Sequence, residues 1–116
     1  MVELKIRKIR LGEVEEIARV LAEESGGDLE EVREHAEWHV KGFPEICLAA
    51  EEDGEVVGFV ICHLHSDSLE IEDLYAREGY EHAYKALIEE VLRRIPPVDT
   101  VTIWMDDFKK ILGRLG

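Results

Sequence analysis

Leu69–Ile95 reads LEIEDLYAREGYEHAYKALIEEVLRRI, and its apolar residues change period partway along. Leu69 and Ile71 put apolar side chains on one face of an extended segment, whereas the next pair, Leu74 and Ala76, has the opposite parity. Strand side chains alternate with period two, so a phase change inside one strand implies an extra residue, a β-bulge, here at Glu72-Asp73. Beyond a short loop, Tyr84, Leu87, Ile88, Val91, Leu92 and Ile95 recur at helical spacing and predict an amphipathic helix lying on the sheet. The strand is therefore expected to bend at the bulge and to open a cleft floored by Leu74, Tyr75 and Ala76.

Outward from this stretch the remaining elements follow in turn. Val2, Leu4, Ile6 and Ile9, interleaved with Lys and Arg, predict a first strand over 2–9. Val14, Ile17, Ala18 and Leu21 define a first helix with glutamates in its opening turns and Ser25-Gly26-Gly27 at its end. Asp28 with Glu31 opens a second helix whose stripe is Leu29, Val32, Ala36, Val40 and Phe43. ICLAA and VVGFVICHL flank an Asp53-Gly54 turn and read as a hairpin, its second arm apolar on both faces and hence central. Ser66-Asp67-Ser68 turns the chain into the bulged strand. Pro96-Pro97 stops the third helix, VDTVTIWM reads as a fifth strand parallel to the fourth, and Asp106 or Asp107 caps a last helix with Phe108, Ile111, Leu112 and Leu115 inward.

The predicted class is α/β (α+β), a mixed and mostly antiparallel sheet in the order β-α-α-β-β-β-α-β-α, in one domain over 1–116. The formal charge of −13, from 14 basic and 27 acidic residues, argues against nucleic acid or an anionic membrane surface and suits a cationic small molecule or an amine-bearing protein terminus. No stretch is apolar enough to span a bilayer and the N-terminus alternates like a strand, so a cytoplasmic protein is expected. Cys47 and Cys62 lie in apolar runs and read as buried thiols. The chain contains neither Asn nor Gln and is rich in Glu, Arg and Lys, a bias resembling proteins of heat-loving organisms.

The run IEDLYA, a loop, then YKALIEEV resembles the central segment of the GNAT superfamily of acyl-CoA-dependent N-acyltransferases. The element order matches that family over nearly the whole chain. The resemblance implies transfer of an acetyl group from acetyl-CoA to a primary amine by direct attack, the donor's pantetheine arm entering between strands four and five. It also implies a general base at Glu70, with Glu72 beside it as the second catalytic candidate and burial raising the pKa of Glu70 towards neutrality. The implied donor-binding set is Leu74, Tyr75, Ala76, Arg77, Gly79, Tyr80, His82, Ala83, Tyr84 and Lys85.

Three family features are missing, which makes the chain a reduced member. The glycine loop that would cradle the diphosphate has His82 and Tyr84 at its two glycine positions, leaving Arg77, His82 or Lys85 to hold phosphate. Leu112 stands near the usual tyrosine acid and Met105 near the usual asparagine. The last two strands that would cover strand five do not follow Leu115-Gly116, and an open strand edge invites a homodimer.

Two other readings stand beside this one. A GNAT-like module without catalysis would bind a protein through its cleft or sheet edge; Trp38, opposite the stripe of the second helix, is either a rim residue or part of a partner-binding face. A metal site could gather His35 and His39, one turn apart, with His63, His65 and Asp67, although H-x-E-x-H is not the spacing of zinc proteases. Metal ligands are not implied by the family resemblance.

Overall fold

The computed structural model describes residues 3–115, with side chains as far as Gly113. Five strands form one sheet in sequential order: β1 (Lys5–Lys8), β2 (Leu48–Glu52), β3 (Glu55–Leu64), β4 (Ser68–Ala76) and β5 (Thr100–Ile103). Four α-helices accompany them, α1 (Val14–Ser25), α2 (Leu29–Gly42), α3 (His82–Arg94) and α4 (Met105–Leu115). None of the described helices is long and apolar enough to cross a membrane.

β1 to β4 pair antiparallel, and β5 runs parallel to β4 after the α3 crossover. The β2–β3 turn needs two positive φ values, which Asp53 (49°) and Gly54 (82°) supply. The two faces of the sheet carry separate cores. Val60, Cys62, Leu69, Ile71 and Leu74 pack against Ala83, Leu87 and Val91 of α3, while Ala49, Phe59 and Ile61 pack against Ile17 and Leu21 of α1 and Ala36 and Val40 of α2. Truncating a fully buried residue such as Leu74 or Leu87 to Ala would cost about 2–5 kcal/mol. At Gly58 a Cβ would meet the Tyr75 carbonyl oxygen at 2.9 Å, so glycine is what lets β3 and β4 close up beneath the first turn of α3. Cys47 and Cys62 are buried and free, and burial pushes the Cys47 thiol up to about 11.

The parity switch in β4 is a bulge. Cys62 pairs with Ile71 and Ile61 with Asp73, leaving Glu72 as the extra residue. Pairing with β5 runs only from Ser68↔Thr100 to Ile71↔Ile103 and stops where the bulge begins. Leu69, Ile71 and Leu74 thereby stay in the α3 core, while Asp73 and Tyr75 turn to the side of α1 and α2. This divergence opens the cleft.

Several boundaries differ from the expectation. β1 begins at Lys5, and Val2 lies outside the described residues. Leu29 and Leu92, placed in their helix stripes by the sequence, are exposed. Trp104 and Met105 do not extend β5: the Trp104 carbonyl accepts from the Phe108 amide, so α4 starts there and Asp106 and Asp107 occupy its first turn without capping it. Ile111 packs inward as expected, but Phe108 and Leu112 face out. Leu115 lies beyond the described side chains.

Candidate active site

Between the bulge of β4, the end of α1, the first half of α2 and the start of α4 lies a cavity of about 640 Å³. Six carboxylates line it, those of Glu24, Glu31, Glu72, Asp73, Asp106 and Asp107, against one lysine, Lys110, and one histidine, His35. Such a wall attracts a cation and concentrates its field in a concave space.

The acids do not titrate alike. Burial pushes the Glu72 carboxyl up to about 7, and its hydrogen bond and repulsion with Glu70 add to this. Glu70 moves the opposite way. It lies at the solvent side of the pair, accepts the Glu72 proton and pairs with His65 at 2.5 Å, and both contacts hold it below the usual carboxylate range. The expectation that burial would raise Glu70 is thus corrected: β4 turns Glu72, one alternation further on, into the cleft. Asp73 is pushed up to about 6, mainly by burial and then by the charge of Asp107, and its Oδ2 is buried without a hydrogen-bond partner. His35 Nε2 stands 3.6 Å from Glu72 and 3.7 Å from Asp73. Burial lowers the His35 pKa, so near neutral pH these contacts join a neutral ring to a partly protonated Glu72 and a largely ionised Asp73 and are not full ion pairs.

Four of the five histidines form one cluster beside these acids. His39 Nδ1 lies 2.9 Å from the His35 carbonyl, and its Nε2 lies 3.4 Å from His63 Nδ1. Trp38 stacks on His63, so half of its surface is used in packing and half remains exposed. Among the described residues, His35, His39 and Glu72 bring ligand atoms within 4.8 Å of one another, close enough to hold a small cation. Asp67 is not part of this group. It lies in the β3–β4 turn, where its carbonyl accepts the Asp99 amide at 2.8 Å.

At the other end, a second cavity of about 600 Å³ faces the start of α3 and is lined by Gly79, Glu81, His82, Tyr84, Lys110 and Gly113. Gly79 has φ 91°, a conformation that glycine adopts without strain. The loop then folds on itself: the amides of Tyr80, Ala83 and Tyr84 donate to the carbonyls of Arg77, Tyr80 and Glu81. Ala83 and Tyr84 are buried in the α3 core, as are Leu74 and, in part, Ala76. Tyr75 stacks on Phe59 under α1. Arg77 pairs with Glu55 at 3.3 Å and Lys85 with Glu89 at 3.5 Å, both at the surface.

One residue of this site was not anticipated. Lys110 Nζ donates to the Leu74 carbonyl at 2.9 Å and pairs with Asp107 at 3.1 Å and Glu24 at 3.2 Å. The D-x-x-K spacing on an amphipathic helix was its only trace in the sequence, and such pairs are common on solvated faces.

Residues 12–98 match the model of the acetyltransferase (GNAT) family. No curated protein matches the sequence. Among solved structures, the chain is similar to a protein from Pyrococcus horikoshii described as an acetyltransferase (TM-score 0.70, 18% identity), covering 97% of this chain but 42% of that one. It thus spans less than half of that relative's length. It is also similar to the diaminobutyrate acetyltransferase EctA from Paenibacillus lautus, solved with L-2,4-diaminobutyric acid and coenzyme A (TM-score 0.73, 15% identity, 98% of this chain and 75% of that one). A third is the ribosomal-protein-alanine N-acetyltransferase from Brucella melitensis (TM-score 0.65, 19% identity, 98% and 91%). At these identities the likeness concerns the fold.

Proposed function

Because the chain belongs to the acetyltransferase (GNAT) family, we propose that it acts as one GNAT-like domain that transfers an acetyl group from acetyl-CoA to a primary amine by direct attack. The observation that carries this reading is the β4 bulge, which puts Glu72 into a carboxylate-walled cavity at the point where β4 leaves β5. An alkylammonium ion suits the six acids. It must lose a proton before its nitrogen can attack, and a carboxylate titrating near 7 is matched to accept one at neutral pH. Glu72 takes that role in our reading, and Glu70 with His65 supports it by sharing the Glu72 proton.

The acetyl donor lies across the fork in this reading, with its phosphates near the start of α3. The residues there fit it in part: the second cavity has room, but three loop amides are already bonded. The acceptor is a small molecule or a protein terminus, the setting is cytoplasmic, and a second copy covers the exposed β5 edge, where Val101 is 47% accessible. Light scattering at high concentration that returns 13.3 kDa would remove the dimer from this account.

The test is thiol release from acetyl-CoA in the presence of an amine panel, alongside calorimetric titration of the donor. Donor binding with amine-dependent release supports transfer. The bonded loop amides favour one rival, a module that binds a protein without catalysis; absent donor binding together with absent release would favour it.

A further inference from the structure

The two cavities share one lining residue, Lys110. One cavity is walled by acids and suits the cationic acceptor; the other opens at the start of α3 and suits the anionic donor. Reaction between the two has to occur where the spaces meet, and there the wall presents an ammonium group. Lys110 is 28% accessible and held by three acceptors, the Leu74 carbonyl on β4 and the carboxylates of Asp107 and Glu24. An ammonium has three N–H donors, so all are engaged. The Glu24 contact, from α1, is the longest of the three and involves a partner that is 42% accessible. It is the contact most readily exchanged for another anion, while Leu74 and Asp107 keep the nitrogen in place.

We propose that Lys110 is a further catalytic residue, whose ammonium group pairs with the thiolate leaving the acyl donor at the junction of the two cavities. The inference rests on the acetyl-transfer reading above. The amine gives one proton to Glu72 and its nitrogen forms a bond to the thioester carbonyl carbon, moving an electron pair onto oxygen. As the adduct collapses, the C–S bond breaks and its pair stays on sulfur. Lys110 remains protonated and balances that charge. The nitrogen's second proton reaches the thiolate through water, so thiol, amide and one released proton close the balance. A cation aimed at charge that exists only late in the reaction lowers the barrier without tightening the ground state.

The experiment compares wild type, Lys110→Met and Lys110→Arg with acetyl-CoA, and then with two truncated acetyl thioesters, one of an alkyl thiol and one of an aryl thiol. Lys110→Met is expected to lower kcat with acetyl-CoA by roughly 10²-fold, leaving the donor KM nearly unchanged, and Lys110→Arg to recover most of the loss. The deficit should shrink with the aryl thioester, whose thiolate needs little help to depart. A merely structural lysine would give the same deficit with both thioesters, and that result would overturn the proposal. So would unchanged or faster turnover in Lys110→Met, which would make the lysine a plug on the Leu74 carbonyl. If Lys110→Met fails to fold, Lys110→Gln carries the same comparison. A wild type that acetylates no amine overturns the transfer reading and this proposal together; an active wild type with an unaffected variant overturns this proposal alone.

Discussion

The two ends of the cleft are built to different standards. At the β4 end, the bulge fixes Glu72 and Asp73 in a low-dielectric wall and shifts both carboxyls upward, so polar groups are held there against their solvation preference. At the α3 end, the loop satisfies its own amides, and Glu81 sits at the helix start, where its charge already occupies the favourable end of the dipole. Groups kept in costly environments mark places where structure serves something besides stability. By that measure the β4 end is specialised and the α3 end is relaxed.

The sharpest way to break this contrast is at Glu72. In our reading Glu72→Gln lowers kcat by about 10²–10³-fold at pH 7, with donor affinity unchanged, and Glu70→Gln lowers it by about tenfold or less. The base works only when deprotonated, so wild-type kcat/KM should rise with pH through about 7, a limb that Glu72→Gln lacks. A larger loss from Glu70→Gln would reverse the assignment.

Next in size is Tyr84→Gly, which would put glycine back at one of the loop's two family glycine positions and, by the resemblance alone, would be expected to relieve crowding there. Tyr84 is 7% accessible and part of the α3 core, so the substitution should instead cost about 3–5 kcal/mol, read in denaturant unfolding. Improved donor binding in a fully stable variant would show that the ring is not structural.

Asp73→Asn probes the strained end from the opposite direction. The folded pKa lies above the ordinary value, so the native state holds the proton more tightly and stability is lost as pH rises from about 4 to about 6. The variant should melt about 4 °C higher than wild type at pH 8 and no higher at pH 3.5. A lower Tm at pH 8 would mean that the carboxylate is compensated by contacts that stabilise it. The smallest effect is expected at the relaxed end: each of Glu78→Gln and Glu81→Gln should tighten donor binding by about 2–5-fold in calorimetry.

The sheet was legible in the sequence because alternation is a strict code. The parity change between Ile71 and Leu74 located the bulge to the pair Glu72-Asp73, and the apolar β3 run with the Asp53-Gly54 turn located the hairpin. Which of two alternate carboxylates would be buried was not legible, since Glu70 and Glu72 share the alternation of one face and only the assembled structure shows that Glu72, not Glu70, lines the cavity beside α1, α2 and α4. Lys110 was hidden for a related reason. Its partners, Glu24 on α1 and Leu74 on β4, are remote in sequence, and only the packing of α4 brings them together. The α4 stripe misled because Phe108 and Leu112 are apolar yet uncovered among the described residues.

The unpaired residue of β4 has an evolutionary side. Every described neighbour of Glu72 on that strand has a partner across β3, Ile71 with Cys62 and Asp73 with Ile61. Loss of one codon, that of Glu72, would bring these pairs into unbroken succession and leave all other β3–β4 pairs unchanged. The same event would remove the carboxylate and straighten the fork. In our reading the proposed base and the cleft are thus encoded together, separated from a plain sheet by three nucleotides, and a chain without this residue would keep the β3–β4 pairing while losing both at once.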